Sequence, residues 1–123
     1  GYDYVIGCVS VPTHGEGPPG SHLRAVRDFA LARHPAPAEY TVHPYRPVLL
    51  DGRDLDSIAP PARTTIPPLM RGYLRLGAQI CGQPAHDPAF GVGDFPALLD
   101  KRHADVRYLT RLRSASAAAG GTR

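Results

Sequence analysis

His86, Asp87 and Asp94 stand in one Pro- and Gly-punctuated stretch, and their types suit proton chemistry. A carboxylate beside an amine recognises its cationic form or takes its proton, and only the neutral amine is a nucleophile. The structural alternative is that Asp87, placed before Pro88, shapes an Asx-type turn while Asp94 caps or pins the segment after it. Arg71 and Arg75 are four apart and share a helix face, where they either grip a carboxylate or phosphate or form a solvated surface. Cys8 lies in an apolar run, which reads as an inert buried thiol before a nucleophile. No serine stands in a G-x-S-x-G turn, and His14, His22, His34, His43, His86 and His103 show no metal-binding spacing.

Elements to position these residues can be read from the pattern. Residues 2–11 form an apolar run expected of a strand covered on both faces, ended by Pro12. Ser21 is placed to cap a helix over residues 21–34, with Leu23, Val26, Phe29 and Ala30 on one side, and strand followed by helix is half of a parallel βαβ unit. The loop between them contains a literal G-x-G-x-x-G, from Gly15 to Gly20. Pro18 and Pro19 remove two donors from it and Glu16 adds negative charge, so it reads as a connection and not a dinucleotide site.

Residues 36–63 are Pro-rich and show no clear order. A helix of about three turns is expected from Pro67 and Pro68, capped by Thr64 or Thr65, with Leu69, Tyr73 and Leu76 on its apolar face and Gly77 at its end. Residues 78–81 read as a strand, 82–93 as a loop, 95–99 as a strand, 104–112 as a short basic helix and 114–123 as a disordered tail, which makes 1–113 the domain.

At 123 residues one domain is the ceiling, and 13 Gly with 14 Pro favour short elements and many turns. The sequence opens at Gly1 on an apolar stretch, which gives the expectation of a C-terminal portion of a longer chain. A net charge of +3 permits acidic partners, while the absence of Trp and of basic runs interleaved with aromatics argues against a nucleic-acid platform. Two cysteines and no apolar run of membrane-spanning length fit a reduced, cytoplasmic setting. The basic stretch 104–112 is a solvated face or, on the sharper reading, a peripheral contact with the inner face of the cell membrane.

The blocks PPLMRGYLRLGA, CGQPAHDPAFG and GDF followed by LLD, in that order, resemble the ornithine-acyl-carrier-protein N-acyltransferase (hemolysin-like) family of the GNAT superfamily. The opening YVIGCVSV is similar to that family's G-C-x-S strand through Gly7, Cys8 and Ser10. Val92 and Pro96 depart from the pattern, since a Thr is usual at the first and the fold places the strand of the second inside the sheet. The resemblance implies an α/β fold, the C-terminal half of a GNAT-like mixed sheet with helices on both faces. It implies transfer of a hydroxyacyl group from an acyl-carrier-protein or CoA thioester to the amine of ornithine, with no tightly bound cofactor and with the donor-cradling loop lying outside these residues. Asp87 and Asp94 are then the catalytic candidates, and Arg71, Tyr73, Arg75, Cys8, Ser10 and His86 the substrate-binding ones. The alternative is a non-catalytic acyl-carrier or lipid-binding module.

Overall fold

Phe95, Ala97 and Leu99 recur at every second position, an alternation that buries one face of a strand. In the computed structural model, which describes residues 4–15 and 17–100, all three are buried in one nine-residue strand. The described elements run β1 (Tyr4–Pro12), α1 (Ser21–Arg33), α2 (Pro68–Arg75), β2 (Gln79–Ile80), β3 (Ala85–Asp87) and β4 (Val92–Asp100), with 3-10 turns at Ala38–Tyr40 and Leu55–Ser57. The expected helix 104–112 and tail 114–123 lie outside the described residues.

β4, the last described strand, runs through the middle of the sheet. β1 pairs with it antiparallel along its whole length, from Tyr4 opposite Asp100 to Pro12 opposite Val92. On the other edge β2 and β3 lie end to end, with Ile80 opposite Ala97 and Ala85 opposite Asp94, both antiparallel. β1 and β2 therefore run parallel to each other with β4 between them. The expected loop 82–93 is interrupted by β3, and the last strand is longer than 95–99 because β1 offers it a partner at every residue.

Pro96 sits in this central strand without breaking it. Successive strand residues direct their backbone groups to alternate edges, and the Cys81 N–H donates to Pro96 O at 2.8 Å, so Pro96 faces the β2–β3 edge. Its missing donor falls where those two short strands are interrupted, and the ladder to β1 is intact.

One face of the sheet carries the core. Val9, Val11, Phe95, Ala97 and Ile80 pack with Leu23, Val26 and Ala30 of α1 and with Met70 and Leu74 of α2 in a single cluster. A smaller cluster joins Leu76, Ala78 and Leu99 to Leu69 and Tyr73, so the apolar stripe expected on α2 is used at the end of the sheet. The fold is mixed α/β; among the described residues the sheet is antiparallel, and both described helices bury against the same face. One expectation is corrected here. β1 is covered on one face only, since Val9 and Val11 are buried while Tyr4, Ile6 and Cys8 are exposed. An uninterrupted apolar run reads the same whether its second face is covered or bare.

The helix ends also differ from expectation. Gly20, not Ser21, is the N-cap of α1, in the left-handed region at φ 82, and a Cβ there would stand 2.7 Å from Ile58 Cδ1. Ser21 instead donates its hydroxyl to Ala59 O at 2.8 Å and ties the helix start to the arm. α2 has eight residues and Pro67 as its N-cap, without a threonine cap, and Gly77 at φ 89 follows its end.

The Pro-rich arm covers the β2–β3 edge. Ile80 N–H donates to His34 O at 2.7 Å, Ala36 N–H to Ile80 O at 2.9 Å, Val42 N–H to Cys81 O at 2.8 Å and His86 N–H to Arg46 O at 2.7 Å. Proline-rich backbone has few donors, so it covers an edge through scattered bonds instead of a ladder. Gly82 is the closest approach: a Cβ there would stand 2.2 Å from Val42 O. Gly82→Ala is expected to lower stability by about 1–3 kcal/mol by pushing the arm off the edge, seen as a lower urea midpoint and loss of amide protection at Val42.

Candidate functional site

The pleat decides which candidate residues meet. Ser10 is directly opposite Asp94, and its hydroxyl donates to Asp94 Oδ1 at 2.5 Å, a short bond of the kind a charged acceptor makes. Both are half-buried, and Cys8 shares their face two residues along β1. Asp87 is opposite Val92 and so shares that face too, offset by one pleat repeat from Asp94. The result is two carboxylates and a hydroxyl on the face opposite α1 and α2.

The remaining candidates lie elsewhere. His86 is opposite Gly93 and by strand parity points to the other face from Asp94, so the three residues close in sequence do not converge. Asp87 Oδ1 accepts from the Phe90 N–H at 3.4 Å, the Asx-type turn that Pro88 favours. Arg71 and Arg75 are exposed on α2, on the helix-covered side, where with Phe29, His34, Ile66 and Leu74 they line a cavity of 330 Å³. Tyr73, between them, is half-buried against the Leu76–Ala78–Leu99 cluster.

Cys8 is exposed and Cys81 is buried, which reverses the expectation of an inert buried thiol at Cys8. Burial pushes the Cys81 thiol above its ordinary value of 9.0. Among the described residues no three His, Cys, Asp or Glu side chains converge to hold a metal ion. The glycine-rich loop spends its donors internally, Gly20 N–H on Thr13 O at 2.7 Å and Ser21 N–H on Pro18 O at 3.1 Å, which leaves neither for a pyrophosphate. No described helix is long and apolar enough to cross a membrane.

Two arrangements carry no signal in the sequence. Arg27, on the buried side of α1, donates Nε and Nη2 to Asp28 Oδ1 at 3.0 and 2.8 Å and Nη1 to Gln83 Oε1 at 3.2 Å, while Nη2 stands 2.7 Å from Asp56 Oδ1. Burial acts to lower its pKa, and the hydrogen bonds and charges of Asp28 and Asp56 outweigh it, so the guanidinium is held charged. The second is a cavity of 370 Å³ beyond the end of β1, lined by Pro12, His14, Gly15, His22, Arg63 and Thr65. Its polar residues are up to 51 positions apart, from His14 to Thr65, and no local pattern links them.

Compared with known proteins, the chain matches no family model, no curated protein and no solved structure.

The two cysteines give a direct check on the geometry. Alkylation of the native protein at neutral pH is expected to modify Cys8 alone, with Cys81 reacting only after unfolding, as read by mass spectrometry. Because the Cys81 pKa is raised in the folded state, its contribution to stability is whole below 9.0 and is lost as the pH rises through the folded value. Urea midpoints should therefore fall at alkaline pH, and by less in Cys81→Ala.

Proposed function

We propose that this chain is the C-terminal portion of a GNAT-type N-acyltransferase that moves a (hydroxy)acyl group from an acyl-carrier-protein or CoA thioester to a small amine such as ornithine. The observation that carries the reading is the strand order. The last described strand, β4, is inserted between β1 and the pair that precedes it in sequence, in keeping with the resemblance, which implies a strand placed inside the sheet. The arm closes the far edge through backbone bonds, while β1 pairs with β4 alone among the described strands. β1 is then the place at which the other half of such a sheet joins.

In this reading Asp94 recognises the acceptor's ammonium. Ser10 holds one of its oxygens, which fixes the carboxylate on the face opposite α1 and α2. Asp87, already accepting from Phe90 N–H, shapes the turn that brings β3 against β4. Attack by the neutral amine on the thioester carbonyl forms the amide and releases the thiol, with no covalent enzyme intermediate and no tightly bound cofactor. Arg71 and Arg75, with an apolar floor of Phe29, Ile66 and Leu74, offer a cationic rim to an acidic carrier protein. The setting is cytoplasmic, peripheral to the membrane, with no nucleic-acid partner.

The test is acyl transfer from a 3-hydroxyacyl carrier protein to ornithine, followed by mass spectrometry, with these 123 residues alone and with the chain extended by its upstream coding sequence. Transfer is expected from the extended chain, none from the 123 residues, and a fall of at least about tenfold in the extended Asp94→Asn variant. Transfer by the 123 residues alone would contradict their inactivity. An extended chain that binds the acyl carrier protein or lipid but transfers nothing would replace the enzyme with a binding module.

A further inference from the structure

The fastening of the arm changes abruptly at residue 59. Up to Ile58 the arm is held by backbone bonds to the sheet edge, by Arg24 and Arg27 of α1, and by Val48, Leu55 and Ile58 in the core. Residues 59–65 make no backbone–backbone hydrogen bond among the described residues. Two side chains hold this stretch instead, and they are neighbours on the first turn of α1. Ser21 Oγ donates to Ala59 O at 2.8 Å, and His22 Nε2 donates to Thr65 O at 2.6 Å. A carbonyl only accepts, so the bond needs the Nε2 proton whether the imidazole is neutral or charged.

These two clasps are unequal. Ser21 is buried, whereas the His22 bond is exposed, where water competes for both partners. Residues 62–65 are exposed between the clasps, and Arg63 has no ion pair or hydrogen bond with a described residue. Ile66, half-buried against the core, is where the chain rejoins the body. Pro60 and Pro61 on one side and Pro67 and Pro68 on the other restrict the residues before them to extended backbone, so the stretch keeps its shape without a ladder.

Beneath this stretch lies the cavity beyond β1. Pro61, Arg63 and Thr65 form one wall, and Pro12 at the end of β1 with His22 at the start of α1 stands on the other. We propose that residues 59–65 are a lid on this cavity, hinged where Ser21 holds Ala59 and latched by His22 on Thr65, and that the lid opens while the sheet stays folded. Opening removes the wall of Arg63 and Thr65 and gives a small molecule access to 370 Å³, a volume of the size such ligands occupy. The lid involves neither Asp94 nor the β1 edge, so it and the acyltransferase reading can fail separately.

The experiment is digestion of the native chain with trypsin, with initial products read by mass spectrometry. Cleavage after Arg63 reads the open lid, while cleavage after Arg24, inside α1, reads global unfolding. Cleavage after Arg63 is expected to be the faster and nearly independent of sub-denaturing urea, because lid opening exposes little surface, whereas cleavage after Arg24 should rise steeply with urea. His22→Phe keeps a ring without a donor and should speed cleavage after Arg63 by about threefold to tenfold, the scale of one lost hydrogen bond. His22→Gln retains an N–H donor and should stay within about twofold of the native rate. Relaxation dispersion on the 15N-labelled native chain, which needs no variant, should show microsecond-to-millisecond exchange at residues 63–66 and none in β4. The same urea dependence at Arg63 and Arg24, a His22→Phe rate equal to the native one, a His22→Gln rate as fast as that of His22→Phe, or no exchange at residues 63–66 would overturn the proposal.

Discussion

Everything in this fold depends on satisfying both edges of β4. A buried strand must find a partner for each backbone group it exposes, and β4 obtains nine paired residues from β1 on one side and two short strands on the other. That requirement makes a proline tolerable at its centre, because the missing donor falls at the gap between β2 and β3 and not opposite β1. It also explains why a Pro-rich arm ends up where it does. β2 and β3 are too short to cover themselves, and the arm's carbonyls and few N–H groups are spent on their outer edge.

Holding that arm down is a polar task as much as an apolar one. Arg27 is buried yet charged, and its reach to Asp56 and Gln83 connects α1 with the Leu55–Ser57 turn of the arm and the segment between β2 and β3. The partner carboxylates keep much of their contact with water, which limits the desolvation cost to one side of the pair. Val48, Leu55 and Ile58 of the arm join the main core beside it, so the same segment is fastened by burial and by charge.

The two faces of the sheet then have different chemistry. The helix-covered face is apolar, closed around Phe95, and leaves Arg71 and Arg75 at its rim. The other face has Tyr4, Ile6 and Cys8 exposed, and carries Ser10 and Asp94 as a hydrogen-bonded pair. Parity along β3 and β4 sends His86 to one face and Asp94 to the other, so residues eight apart in sequence are separated while Ser10 and Asp94, 84 apart, touch.

Much of the local structure was legible in the residues themselves. The strand at 95–99, the apolar stripe of α1, the Pro start and Gly stop of α2, and the Asx turn at Asp87 all follow from side-chain spacing and backbone restriction, which act within a few residues. Covered and bare faces of β1, the α1 cap, the arm's course, the charged clamp at Arg27 and the cavity of His14, His22 and Arg63 were not, because each depends on partners dozens of positions away. The sequence by itself determined the first strand, both described helices and the central strand, and it did not reveal β3 or the course of the arm. Only the tertiary structure decided which side chains share a face, since inserting β4 between strands distant in sequence sets the register, and register assigns every side chain to the core or to the site.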